Sequence, residues 1–243
     1  MRMRVGLFVT CLVDLVRPQI GFSAIKLLER AGCTVEVPAA QTCCGQPGYN
    51  SGEVPVARDL ALQVLRAFEG YDYLVAPSGS CAATIKTDYP ELFVDDPDLK
   101  ARFDALAAKT HELTDILVNV ATLESLDSGF VGEIACHDSC AGLRALGVKA
   151  QPRKLLGMLP GVKLTEMSGA EQCCGFGGTF SIKYGNISTE IVEEKCRNFA
   201  ACGAAALVLG DLGCMLNIEG RLRRTGDDKT RVLHVAQVLA GDA

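Results

Sequence analysis

Short apolar runs alternate with amphipathic stretches along this chain, and the alternation occurs twice. Val5 to Thr10 is an apolar run that ends at Cys11. From Pro18 the apolar positions fall at helical spacing, at Ile20, Ala24, Leu27 and Leu28, until Gly32 stops the helix. Thr34 to Val37 reads as a second strand running into a loop at Cys43-Cys44. Ala57, Leu60, Ala61, Val64, Leu65 and Phe68 then form the stripe of a second helix. Tyr71 to Ala76 reads as a third strand, ending just before Cys81. The same order returns later, with strands at Glu133 to Cys136, Val162 to Glu166 and Ala206 to Leu209, and a helix across Ile187 to Ala200. Strands alternating with helices build parallel sheets through right-handed crossovers. The predicted class is therefore α/β: two similar Rossmann-like βαβαβ halves with parallel sheets, related by an internal repeat.

Between the halves, Pro97 to Leu126 reads as helical from Phe103, Leu106, Leu113, Ile116 and Leu117, and is expected to pack the halves together. Arg231 to Ala240 reads as a closing helix. The expected divisions are residues 1–90 for the first domain, 91–131 for a helical connector, and 132–243 for the second domain with its closing helix.

Charge and length then exclude several functions. With 24 basic and 29 acidic residues among 243, the net charge of −5 gives no electrostatic grip on nucleic acid or an anionic membrane. No stretch reaches the roughly 18 apolar residues of a membrane span. Residues 1–16 are not read as a secretory leader, because Asp14 breaks the apolar run and no small-x-small cleavage site follows. The expected compartment is the reducing cytoplasm, where clustered thiols hold metal more often than they form disulfides.

The 12 cysteines carry the chemistry. Cys11, Cys43, Cys44 and Cys81 recur as Cys140, Cys173, Cys174 and Cys214, at offsets of 129, 130, 130 and 133 residues. Each vicinal pair is followed by a glycine, Gly45 or Gly175, and each register cysteine falls at or just beyond a strand's carboxyl end. That edge of an open α/β sheet is where ligands bind. Consecutive side chains diverge, so a Cys-Cys pair is a poor source of two corners of one tetrahedral zinc, whereas a multi-iron cluster can be approached at separate metals. Cys33, Cys196 and Cys202 have no counterpart in the other half and are expected to be buried small hydrophobes. Cys140 is preferred to Cys136 as a ligand, because it leaves 32 residues before the pair, against 31 after Cys11 and 36 for Cys136.

Weaker motifs are set aside. His137, Asp138 and Ser139 are the residue types of a hydrolase triad, but sequence neighbours point apart. Gly175-Phe176-Gly177-Gly178 has neither dinucleotide spacing nor the Lys-Ser or Lys-Thr of a phosphate loop. His111 and His234 sit in stretches read as helical and are assigned no ligand role. His137 is kept, as a candidate base for the hydroxyl proton of a substrate or as a hydrogen-bond partner of a cluster sulfur.

Pro77-Ser78-Gly79-Ser80-Cys81, His137-Asp138-Ser139-Cys140 and Cys173-Cys174-Gly175-Phe176-Gly177-Gly178 together resemble the cysteine-rich-domain, or CCG-domain, family. Its pattern is a Cys, then Cys-Cys-Gly, then Cys-x-x-Cys, and here it covers nearly the whole chain twice. The resemblance implies iron-sulfur clusters, [4Fe-4S] and up to two, held by Cys11, Cys43, Cys44 and Cys81 and by Cys140, Cys173, Cys174 and Cys214. It further implies an electron-transfer subunit that oxidises a 2-hydroxy acid such as L-lactate together with a larger iron-sulfur protein and a smaller companion, and that is inactive alone. The alternatives are a subunit acting on a disulfide, as in heterodisulfide reductase, and a zinc or thiol scaffold without electron transfer. In both halves the first cysteine of the last element is missing. Ser78 and Asp211 stand there, and are read as hydrogen-bonding turn residues rather than oxygen ligands.

Overall fold

A computed structural model describes residues 2–243. Val5, Leu7, Leu74 and Val75 are wholly buried, as strands covered on both faces require. β1 (Arg4–Leu7), β2 (Thr34–Glu36), β3 (Tyr73–Ala76) and β4 (Thr110–Glu112) pair in parallel in the order β2-β1-β3-β4. β5 (Gly132–His137), β6 (Val162–Leu164), β7 (Ala206–Leu209) and β8 (Arg231–His234) repeat this as β6-β5-β7-β8. The α/β class and the duplication expected from the pattern are both present. The amphipathic stretches form the helices Pro18–Arg30, Val54–Phe68 and Gly185–Cys202.

Two stretches read as helix contain a strand. The helix Pro97–Ala108 ends before β4, and the expected closing helix begins as β8 and turns helical only at Val235–Ala240. Phe103, Leu106, Leu113 and Leu117 keep helical phase across β4, which at three residues is too short to leave a period of its own. His111 and His234 are therefore strand residues, and both are satisfied. Nδ1 of His111 lies 2.7 Å from Asp115 Oδ2, while His234 donates from Nε2 to the Pro77 carbonyl at 3.1 Å and accepts at Nδ1 from the Ala236 N–H at 3.2 Å. The stretch expected to be a connector thus supplies the edge strand of the first sheet.

One apolar core crosses the boundary between the halves, containing Val5, Leu7 and Leu27 with Ile134, Leu207 and Val238. A second core, built on Phe8, Phe68, Tyr89, Phe93 and Phe103, draws its buried residues from the first half, with Leu146 of the second packed against it. The helices Gly79–Ala83 and Cys140–Leu146 meet across the boundary at Gly79 and Gly142. A Cβ on Gly79 would stand 2.9 Å from the Gly142 Cα, so only glycine permits this approach.

Glu112, at the end of β4, is fully buried beside that boundary, and accepts from the Thr114 N–H at 2.7 Å and the Asp115 N–H at 3.2 Å. Burial pushes its carboxyl up to about 7 from 4.5. Between those two values the folded chain binds the proton that the unfolded chain has released, so stability falls as pH rises. With about 1.4 kcal/mol per pH unit, the metal-free chain should lose about 3 kcal/mol of unfolding free energy from pH 4.5 to 7 on this account. Glu112→Gln should flatten the profile by that amount in denaturant titrations. Identical slopes in the two proteins would rule Glu112 out as the cause.

Candidate metal centre

Each register cysteine is delivered by a local device. Thr10 caps the helix Cys11–Val16, its hydroxyl accepting from the Val13 N–H at 3.3 Å, and places Cys11 at the helix start. Ser78 likewise caps Gly79–Ala83 by accepting from the Cys81 N–H at 3.4 Å. The vicinal pair is turned by Gly45, whose φ of +80° is costly for a residue with a Cβ and brings its N–H to 3.4 Å from the Cys43 sulfur. Tyr89 donates its hydroxyl to the Cys44 carbonyl at 2.8 Å and fixes the pair's backbone.

These devices bring the first four thiols together. The Cys11 and Cys43 sulfurs are 3.6 Å apart, and those of Cys44 and Cys81 3.4 Å. Hydrogen bonds from Cys11 and then Cys44 hold Cys43 far below the usual thiol range. Cys11 and Cys44 are pushed up, first by their hydrogen bonds to Cys43 and then by further sulfur contacts and burial. Four soft donors linked sulfur to sulfur through Cys43 and Cys44, with a thiolate already favoured among them, suit a thiophilic metal. A cavity of about 220 Å³ opens beside them, closed on its far side by Phe176, Ile182 and Asp211 of the second half.

The second half repeats the construction. Cys140 begins its helix, and Gly175, at φ +85°, aims its N–H at the Cys173 sulfur from 3.3 Å. The Phe176 N–H lies 3.5 Å from the Cys174 sulfur, and Asn217 takes the part of Tyr89 by donating to the Cys174 carbonyl at 2.8 Å. Hydrogen bonds from Cys140 and then Cys174 hold Cys173 low, as in the first half. The Cys174 and Cys214 sulfurs and a ring nitrogen of His137 all lie within 4.8 Å of one another. Cys136 sits apart, buried, with its thiol pushed up to about 12 by burial, against a small cavity of about 30 Å³. Of the other three cysteines outside the register, Cys33 is buried, whereas Cys196 and Cys202 are only half-buried at the core's margin.

Ser78 and Asp211 make a contact that spacing does not announce. The Asp211 carboxylate is buried and accepts from three donors: the Ser78 hydroxyl at 3.0 Å, the Ser80 N–H at 2.9 Å, and the Gly213 N–H at 3.1 Å. It thereby caps its own helix, Leu212–Arg224, and braces the one that carries Cys81. Lys195 also escaped the sequence reading. It is buried, and its ammonium donates to the Gly169 and Ala170 carbonyls close to the second thiol set. Its signal was available, since it lies on the buried helix stripe with Ser188, Val192 and Phe199. The matching position of the first half is Leu65. Burial, and then the Lys195 charge, push the His137 imidazole down to about 4, so it is neutral at physiological pH.

Residues 5–86 and 134–219 each match the profile of the cysteine-rich domain, and the two matches contain all eight register cysteines. The chain belongs to the cysteine-rich-domain family. Whole-length relatives in this family include lactate utilization protein A of Geobacillus kaustophilus, 49% identical over 237 residues and covering 98% of both chains. The lactate utilization protein A of Bacillus subtilis is 45% identical over 237 residues, covering 98% of this chain and 99% of its own. Among solved structures, a hypothetical protein from Helicobacter pylori superposes with a TM-score of 0.69 at 13% identity, which shows the fold alone. This chain covers 49% of that protein's length, and 99% of it takes part in the match. Among the described residues, no helix of this cysteine-rich-domain protein is long and apolar enough to cross a membrane.

Proposed function

We propose that the chain is an iron-sulfur electron-transfer subunit of a complex that oxidises L-lactate to pyruvate in a reducing cytoplasm. The observation that carries the reading is the pair of four-thiol clusters, one at the carboxyl edge of each sheet, in a chain whose whole-length relatives are named for lactate utilization. Cys11, Cys43, Cys44 and Cys81 are the ligands in the first half, and Cys140, Cys173, Cys174 and Cys214 those in the second. When bound, iron-sulfur clusters, of the [4Fe-4S] type, supply one-electron steps. Lactate gives up two electrons and two protons in becoming pyruvate, so two such sites and further carriers on companion subunits share the path.

The chain's own residues hold and insulate these sites. The residues lining the cavity beside the first thiol set include no lysine, arginine or histidine to pair with a substrate carboxylate. His137 is 3% exposed, too enclosed to take a proton from a bound hydroxy acid. Substrate binding and proton abstraction are therefore assigned to the companions, a larger iron-sulfur protein and a smaller subunit. Purified without oxygen, the chain should be brown and contain iron and sulfide rather than zinc. Lactate-dependent dye reduction should need the chain and its companions together. Turnover by the chain alone at the rate of the full mixture would make it a self-sufficient dehydrogenase and end the subunit reading.

A further inference from the structure

His137 is held differently from the other buried histidine. Both ring nitrogens of His234 are hydrogen-bonded, whereas His137 uses only Nδ1, which lies 3.2 Å from the Ala170 carbonyl. A carbonyl oxygen only accepts, so Nδ1 carries the proton and Nε2 presents a lone pair. That Nε2 is buried without a hydrogen-bond partner. The Ala170 carbonyl is itself fixed, accepting from the Asp138 N–H at 3.0 Å and from Lys195. A backbone carbonyl that holds one ring N–H and thereby aims the other nitrogen is the usual support of a metal-bound histidine. The ring stands beside a donor set, since one of its nitrogens shares a 4.8 Å neighbourhood with the Cys174 and Cys214 sulfurs.

The repeat shows that this imidazole is peculiar to the second half. At the offset that relates Cys140 to Cys11, the counterpart of His137 is Phe8, a wholly buried ring packed 5.7 Å from Phe68. An aromatic side chain satisfies the packing of this position, and the nitrogen is what the second half adds.

We propose that Nε2 of His137 coordinates an iron of the second cluster, so that this site is held by four thiolates and an imidazole while the first is held by thiolates alone. Imidazole is a good iron ligand. The proposal rests on the cluster reading given above, and the two can fail separately.

The test uses the full chain, purified without oxygen, with Cys43→Ala to empty the first half. Protein grown with 15N-histidine should show, by pulsed electron paramagnetic resonance of the reduced cluster, a nitrogen coupling that scales with the isotope and has the strength of a directly bonded nitrogen. Mössbauer spectra of 57Fe-loaded protein, which need no paramagnetic state, should show one iron distinct from its all-thiolate neighbours. His137→Phe, which installs the first half's own side chain, should abolish both signals. A loaded second half whose irons are alike and show no strong nitrogen coupling would overturn the proposal and leave the cluster reading intact. So would signals that survive His137→Phe. Absence of iron from the second half of the otherwise native chain would overturn both.

Discussion

Alanine at Cys43 should remove the iron of the first half and leave that of the second in place, and alanine at Cys173 should do the reverse. Each of these sulfurs lies at the centre of its set: Cys43 accepts from Cys11 and Cys44, and Cys173 from Cys140 and Cys174. Losing either one removes the thiol most ready to ionise, the form in which sulfur binds metal. The other six register cysteines should follow the same rule of local loss, read as iron per chain and as separate spectra of the two halves. Cys136→Ser should keep both sites loaded, because Cys136 precedes His137 on β5 and so leaves the sheet by the opposite face, and alanine at Cys33, Cys196 or Cys202 should cost about 1 kcal/mol or less in stability and no iron. Equal iron across all eight register variants would dismiss the assignment. Bleaching by Cys136→Ser but not by Cys140→Ser would mean that the repeats align four residues away from the register used here.

Asp211→Ala should have the largest effect on stability of any polar substitution described above. It leaves the Ser80 and Gly213 N–H groups without this acceptor and the Ser78 hydroxyl with only Ser80 Oγ, 3.2 Å away, where each orphaned buried donor costs about 1–3 kcal/mol. A loss of about 3 kcal/mol or more is expected in denaturant unfolding of the metal-free chain. Asp211→Asn should lose roughly half as much, because its one oxygen can replace Oδ2 while its amide faces the Gly213 N–H, donor against donor. Location separates this from general damage. Asp211 belongs to the second half, yet iron should be held less firmly in the first, whose Cys81 helix it braces. An unchanged first site together with a stability loss under about 1 kcal/mol would show that the bridge does not bind the halves.

Much of this was legible in the sequence, because the signals that fix an α/β duplication are periodic and cysteines are chemically conspicuous. The apolar runs mark the strands at both sheet centres, and the thiol register puts eight cysteines on two sheet edges. β4 and β8 were hidden because each is only three or four residues long and runs straight into a helix that continues the apolar phase. The bond between Ser78 and Asp211 was hidden for another reason. It joins residues 133 apart, and nothing in either local pattern specifies how two similar halves face each other. His137 was visible as a residue of interest, but its unbonded Nε2 is a fact of packing that no spacing contains.

The shared carboxylate also sets an order of events during synthesis. As the chain leaves the ribosome, the first four cysteines are available early, with Cys81 in place after a third of the sequence. The helix that presents Cys81 lacks the brace for its Ser80 N–H until residue 211 has been made. Metal that arrived before then would meet thiols held by half of their framework. The two halves are therefore not separable modules, and the brace of the first site is complete only after most of the second half exists, whatever its position in the sequence suggests.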